Sequence, residues 1–519
     1  MWRVKASAPM WQTNRAELHA YHLVASCSLV KRLRRLRSFY DNGTARVRRG
    51  LPLKRLQRQF MLAPIVQGSP EALAILAACF LLVLVFEFSN GFHDTANAVA
   101  TVIYTNSLKP KYAVIWSGLM NFLGVLLGGI AVAYALVELI PAEVLSPPGG
   151  GTAAGMLTAL FTSALLWNVG TWWLGIPNSS SHALIGSLIG IATETALTHG
   201  RGLRDGVDWQ QIWSVLGSLL LSPMAGFALA LLLFKLLSTV IRDRHLYEPP
   251  EGDQPPIWWM RYLLILTCTG VSFAHGTNDG QKSIGLIMLT IIGLMPSTYA
   301  LNMEISSQQI AAAASASPVA SDLIERFGDD RKQQGVQGAR ALGDRFSRVK
   351  AASDIPDTER AAVRNDLNRV LEQLKSVIEA KGISDADKKR AKSIHDDFMK
   401  SVEYAPWWVR VLSALCLGVG TLVGYQRIVK TLGERLGNKH LVPAQGASAE
   451  LVAAGLIGFA GFSGYPVSTT HVVTGGIAGT MVASGAGVKS GTVWQIAAAW
   501  LLTLPATVAI SGVLFYLLS

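Results

Sequence analysis

Four short stretches carry residue types suited to chemistry, and they come as two pairs. "PNSSSHALIG" begins at Pro177 and "PVSTTHVVTG" at Pro466; each places three hydroxyl residues and then a histidine just after a proline. "NGFHDTANAVAT" begins at Asn90 and "HGTNDGQKSIGL" at His275. Aligning Gly91 with Gly276 puts Asp94 on Asp279 and His93 on Asn278. In each half an acidic, amide-bearing break in an apolar segment precedes a hydroxyl-histidine break.

Ser179, Ser180 and Ser181, with Ser468, Thr469 and Thr470, are hydroxyl donors at the expected starts of two helices. A helix N-terminus offers unpaired backbone N–H groups and the positive end of the helix dipole, which suits an oxyanion. Two such termini facing each other would surround a tetrahedral anion with donors. The plainer reading is an N-cap bonded back to its own helix. Duplication with the histidine at the same offset favours the anion cradle. Asp94 and Asp279 lie in apolar segments, where a carboxylate is costly unless it faces a polar interior. Because a carboxylate repels an anion, it must hold a cation or accept a proton that the anion carries. Hydrogen phosphate carries one near neutral pH and sulfate does not, so such an acceptor favours phosphate. Asn90, Asn97 and Asn278 supply amides that ligate a cation or donate to an anion. Lys282 pairs with Asp279 or attracts the anion. His182 and His471 relay protons, since histidine titrates near physiological pH, or brace their loops. Glu87 and Glu450 are further acids in or beside apolar runs, and Glu450 is expected to face the site.

What must position these groups is a set of membrane helices. The chain has 519 residues, 50% hydrophobic and 15% charged, well below the roughly 25% charged residues of soluble domains. Tyr112–Ile140 holds one charged residue, Glu138; Val215–Val240 holds only Lys235; Val493–Leu518 holds none. Each reaches the roughly 20 residues that span a bilayer as a helix. The pattern predicts an all-α polytopic membrane protein of about ten to twelve helical segments. Interrupted apolar segments at corresponding places in two halves point to a transporter built from repeats, with its site at the repeat interface. Irregular backbone at membrane depth is tolerated only where protein or a watery cavity satisfies it.

The expected organisation is a basic N-terminal extension at 1–70, a first transmembrane repeat at 71–245, the start of the second at 258–302, a soluble helical insertion at 303–405, and the rest of the second repeat at 406–519. Residues 1–60 hold 14 Lys+Arg against 2 Asp+Glu, which leaves 32 of each for the remainder. The net charge of +12 therefore belongs to the extension, which either docks on anionic lipid or has no role. Few aromatics and the apolar span that follows argue against nucleic acid. Within 303–405, Val370, Leu371, Leu374, Val377 and Ile378 recur at helical spacing, the mark of helices with one buried face. Cys27, Cys79, Cys268 and Cys416 form no framework and no metal spacing. "GTNDGQKS" is no nucleotide loop: three residues separate Gly276 from Gly280, and Gln281 rather than glycine precedes Lys282.

With these residues in view, "NGFHDTANAVATVIYT", "AHGTNDGQKSIGLIML", "PNSSSHALIG" and "PVSTTHVVTG" resemble the signatures of the PiT family of inorganic phosphate transporters, in particular its bacterial low-affinity permeases. The resemblance runs from about Ala72 to Ser519 and leaves out the basic extension. It implies an inverted-repeat helical fold with broken or re-entrant helices, alternating access, and symport of phosphate with a cation. It implies that Asp94 and Asp279 are the paired acids, Asn97 and Asn278 the amides beside them, and Glu450 a further functional acid. By the same resemblance Ser179–Ser181 and Ser468–Thr470 bind phosphate. Bacterial relatives use protons and carry neutral metal–phosphate complexes; other members use sodium. Asn121 stands near where sodium-coupled animal members carry a glutamate, and Lys282 stands at the counterpart of Asn97, which turns the expectation toward protons. No resident cofactor or metal is expected, only a co-transported proton or sodium and a divalent metal carried with phosphate. The expected partners are inorganic phosphate and the lipid bilayer of the cell membrane, with a homo-oligomer left open. The competing readings are a sulfate permease, a membrane enzyme using His93 or His182 as a phosphoryl nucleophile, and a receptor whose working part is the insertion.

Overall fold

The computed structural model describes residues 70–133, 152–198, 209–249, 252 and 254–518. The basic extension thus lies outside the described residues, except for Pro70. The long helices are α1 (Pro70–Tyr104), α2 (Pro110–Leu127), α3 (Thr152–Leu174), α4 (Ser180–Thr198), α5 (Trp209–Val240), α6 (Trp258–Leu294), α7 (Ser307–Phe327), α8 (Lys332–Phe346), α9 (Asp357–Glu379), α10 (Asp385–Val402), α11 (Trp407–Gly420), α12 (Pro443–Ser463), α13 (Thr469–Ala483) and α14 (Ser490–Leu518). No strand occurs among the described residues.

The surface is that of a membrane protein. Phe462 is 81% exposed, and Leu127, Leu220, Leu221 and Leu501 are also exposed, while Asp94, Asp279 and Lys282 are buried. In lipid the favourable arrangement is apolar outside and polar inside. Exposed Trp209, Trp213, Trp258, Tyr262 and Trp407 cluster at helix starts, as interfacial aromatics do. Among the described residues five helical stretches are long and apolar enough to cross a membrane: Leu73–Tyr104, Pro110–Leu127, Ile212–Val240, Pro443–Ser463 and Ser490–Leu518. Two others depart from that pattern for visible reasons. α6 carries Arg261, Asp279 and Lys282, and α13 is only 15 residues long, about 22 Å against a hydrocarbon core of about 30 Å.

The two halves correspond helix for helix: α1 to α6, α2 to α11, α3 to α12, α4 to α13 and α5 to α14. Shared packing details support this. A Cβ on Gly91 of α1 would lie 2.4 Å from the Leu417 carbonyl oxygen of α11, and one on Gly276 of α6 would lie 2.3 Å from the Asn121 carbonyl oxygen of α2. Both glycines let two backbones touch. α5 and α14 each carry an interior proline, Pro223 and Pro505. The halves are also interlocked. Gly475 and Gly479 of α13 sit on α5 at Pro223 and Phe227, and Gly186 and Gly190 of α4 sit on α14 at Leu504 and Val508. Each hydroxyl-bearing helix therefore packs on the last helix of the opposite half.

The structure corrects one expectation. The stretches at Asn90 and His275 do not break their helices; α1 and α6 run unbroken through them. Neither stretch contains proline, and its glycines serve helix contact rather than a turn. The breaks fall instead before α4 and α13.

Helices α7 to α10 have a core of their own, in which Leu323, Ile324, Val336, Leu342, Val370, Leu374, Val377 and Phe398 pack together with Ala300 and Leu301. Ser306 caps α7 in a reciprocal box with Gln309, and Ser384 caps α10. Arg364 ties α9 to the flanking chain by donating to the carbonyl oxygen of Ala300 at 2.8 Å.

Candidate functional site

The two hydroxyl clusters are built by the same local device. α3 ends at Gly175 (φ 69°) and α12 at Gly464 (φ 77°), both left-handed, a conformation only glycine adopts without strain. Two residues later come Pro177 and Pro466, an extended segment, and the next helix start. Ser179 Oγ accepts the His182 backbone N–H at 3.2 Å, and Ser468 Oγ accepts that of His471 at 3.2 Å. The first hydroxyl of each cluster is thus an N-cap, as the plainer sequence reading holds. Ser180, Thr469 and Thr470 turn away from their own helices toward the acids, and Ser181 toward Lys282.

Asp94, 2% exposed, is the most connected of these acids. Thr470 donates to its Oδ1 at 2.5 Å and Asn97 at 3.4 Å, while Ser180 donates to its Oδ2 at 3.4 Å. His93 Nδ1 lies 3.3 Å from Oδ1. Asn97 also donates to Thr470 Oγ1 at 3.0 Å, and Ser180 to Asn90 Oδ1 at 2.6 Å. Asp279, 1% exposed, receives Lys282 Nζ on Oδ1 at 2.5 Å and Thr469 on Oδ2 at 3.3 Å. Lys282 further donates to Ser181 Oγ at 2.6 Å and to the Val467 carbonyl oxygen at 2.8 Å. The links cross between halves: Asp94 of the first holds Thr470 of the second, and Lys282 of the second holds Ser181 of the first.

His275 joins the two acids, a residue to which the sequence reading gave no role. Its Nε2 lies 3.0 Å from Asp279 Oδ2 and 3.6 Å from Asp94 Oδ2. Asp94, His275 and Asp279 each bring a ligand atom within 4.8 Å of the others, a spacing that suits a shared proton or a small cation. Asn121 orients the imidazole through its Oδ1, 2.9 Å from Nδ1, and itself donates to Thr421 at 3.1 Å. The available signal was spacing, because His275 precedes Asp279 by one helical turn and so shares its face.

The other candidates are placed differently. The rings of His182 and His471 face each other at 4.5 Å, and His471 stacks on Trp500 at 3.8 Å. His182 Nδ1 bonds Ser179 Oγ at 2.8 Å. Asn278 donates to the Tyr465 carbonyl oxygen at 3.4 Å, beside the second break. Glu450 is fully buried but bonds Thr267 at 2.6 Å. Thr267 precedes Asp279 by twelve residues on α6, about 18 Å along the helix. The structure therefore brings Asp94, Asn97, Asp279, Ser180, Ser181, Thr469 and Thr470 into one network and sets Glu450 apart. Glu87 pairs with Ser283, again linking the halves.

Such a site suits binding and release of a small ion at the seam of two interlocked halves. The phosphate transporter family model matches residues 90–511. The low-affinity inorganic phosphate transporter PitA of Escherichia coli (strain K12) is 38% identical over 482 residues, covering 86% of this chain and 96% of that one. A probable low-affinity inorganic phosphate transporter of Bacillus subtilis (strain 168) is 26% identical, covering 84% and 95%. A solved structure described as the sodium-dependent phosphate transporter matches with a TM-score of 0.48 at 20% identity, covering 86% of this chain and 99% of that one. This chain, a membrane protein and a transporter rather than an enzyme, belongs to the phosphate transporter family.

Proposed function

We propose that the chain is a multi-pass cell-membrane carrier that imports inorganic phosphate by symport with protons, or as a neutral complex with a divalent metal. The observation that carries this reading is the cross-half network in which Asp94 and Asp279 take hydroxyls from both clusters. On this reading Ser180, Ser181, Thr469, Thr470 and the helix starts donate to the anion, and a carboxylate accepts its remaining O–H. A sulfate ion offers no O–H and leaves that carboxylate unpaired.

Charge argues for coupling. In a cell with a negative interior, each negative charge moving inward costs about 2.3 kcal/mol per 100 mV. Protons or a divalent metal moving with the anion cancel that cost. Uptake of labelled phosphate by cells expressing the chain is expected to collapse with a protonophore, rise with magnesium and ignore sodium. Uptake driven by a sodium gradient alone would return Asp94, Asn97, Asn278 and Asp279 to the part of sodium ligands.

The division of labour within each cluster gives a second expectation. Ser180→Ala and Thr469→Ala each remove a donor near a charged group, a bond worth about 1.5–3 kcal/mol. The half-saturating phosphate concentration is expected to rise about tenfold or more, with little change in the maximal rate. Ser468→Ala removes a cap, and Ser179→Ala a cap together with the bond to His182 Nδ1; each costs about 1 kcal/mol of stability or more, and both are expected to keep the wild-type half-saturation. An unchanged half-saturation in both Ser180→Ala and Thr469→Ala would make these hydroxyls structural caps.

A further inference from the structure

The two halves place equivalent atoms around two equivalent points, with one difference. At the first point Asn97 Nδ2 donates to Asp94 Oδ1 and to Thr470 Oγ1. At the second, Lys282 Nζ donates to Asp279 Oδ1 and to Ser181 Oγ. The offset that carries Gly91 to Gly276 and Asp94 to Asp279 also carries Asn97 to Lys282. The offset that carries Pro177 to Pro466 carries Ser181 to Thr470. An ammonium therefore stands where the first half has an amide.

Lys282 is held as a metal ion would be. Three oxygens surround Nζ at 2.5, 2.6 and 2.8 Å: a carboxylate, a hydroxyl and the Val467 main-chain carbonyl. The residue is 4% exposed, and its carbonyl ligand belongs to the extended segment before α13. At the first point the matching pair of oxygens, Asp94 Oδ1 and Thr470 Oγ1, receives the Asn97 amide N–H, and Asn97 Oδ1 is buried without a hydrogen-bond partner. Oxygens suited to a small monovalent cation thus recur at both points, and at the second a tethered cation already satisfies them.

Building on the phosphate-symport reading, we propose that Lys282 is a built-in cation that fills the second of two equivalent cation positions and so keeps a travelling sodium ion out of it. Its charge balances Asp279 throughout the cycle without crossing the membrane. The residue type at 282 then sets how many cations accompany each phosphate. Lys282→Asn, which copies Asn97, opens the position.

The test uses the purified full chain in proteoliposomes, with labelled phosphate and sodium as the probe ion. Lys282→Asn is expected to gain saturable stimulation by sodium on the order of tenfold, in the range of ordinary coupling between two ligands. Reversal potentials are expected to show one more positive charge per phosphate for this variant in sodium than for the wild type. Thermal melting supplies a readout independent of transport: sodium, but not choline, is expected to raise the melting temperature of Lys282→Asn and of Lys282→Gln by more than that of the wild type. Variants that show no sodium response in uptake or melting, including variants whose losses sodium does not restore, overturn the proposal. So does a wild type stimulated by sodium as strongly as the variants. If the wild type moves no phosphate, the phosphate reading fails, and the melting arm still decides the role of Lys282.

Discussion

Asp94→Asn is expected to cut phosphate uptake by a factor on the order of a hundred or more while the protein still reaches the membrane folded. The carboxylate gathers Thr470, Ser180, Asn97 and His93. An amide keeps one acceptor oxygen, loses the charge, and turns an N–H toward groups that also donate. Losing two charge-assisted bonds at about 1.5–3 kcal/mol each gives about 3–6 kcal/mol, where each 1.4 kcal/mol is about a factor of ten. Asp279→Asn is expected to lose uptake equally but to fold less well, because it strands the buried ammonium of Lys282. Leaving one member of a buried pair unpartnered costs about 3–5 kcal/mol. Uptake kinetics read beside membrane protein levels separate the two effects. Full activity in both folded variants would remove the acids from the site.

The second large effect is on folding. Gly276→Leu and Gly91→Leu each put a side chain where the backbone of a neighbouring helix already lies, at 2.3 Å from the Asn121 oxygen and 2.4 Å from the Leu417 oxygen. No rotamer relieves a clash that begins at Cβ, so α2 or α11 must move away, and overpacking alone costs about 1–3 kcal/mol or more. Both substitutions are expected to abolish the monodisperse peak in detergent size-exclusion. Gly455→Ala and Gly458→Ala of α12 meet nothing within 4 Å and are expected to leave it intact. A well-folded Gly276→Leu protein would mean that α2 and α6 are not in backbone contact.

These two results draw on different layers of what the sequence discloses. The repeat was legible because its signals are local: a glycine, a proline, hydroxyls and a histidine recur at fixed offsets, and the left-handed Gly175 and Gly464 set the same turn twice. The insertion was legible from helical spacing, as Val370, Leu374 and Val377 enter one core. The pairing of Lys282 with Asp279, three residues apart on one helix, is one of the two readings that the sequence left open. What crosses between the halves was hidden. That Thr470 serves Asp94 while Ser181 serves Lys282 depends on how α4 and α13 lodge against the opposite half. Spacing along one segment carries no information about that. The same limit explains Glu450, an acid in the expected half that bonds Thr267 instead. It also explains the stretches at Asn90 and His275. Polar residues there suggested broken helices, but their partners come from other helices, and the helical backbone stays whole.

The most direct measurement for the central claim, a phosphate-selective site shared by both halves, is zero-trans uptake of labelled phosphate by the purified protein in proteoliposomes with an inward proton gradient, with and without excess sulfate. The account predicts accumulation that the proton gradient drives and that sulfate does not compete. Absence of uptake by folded protein, or sulfate competing as well as unlabelled phosphate, would contradict it.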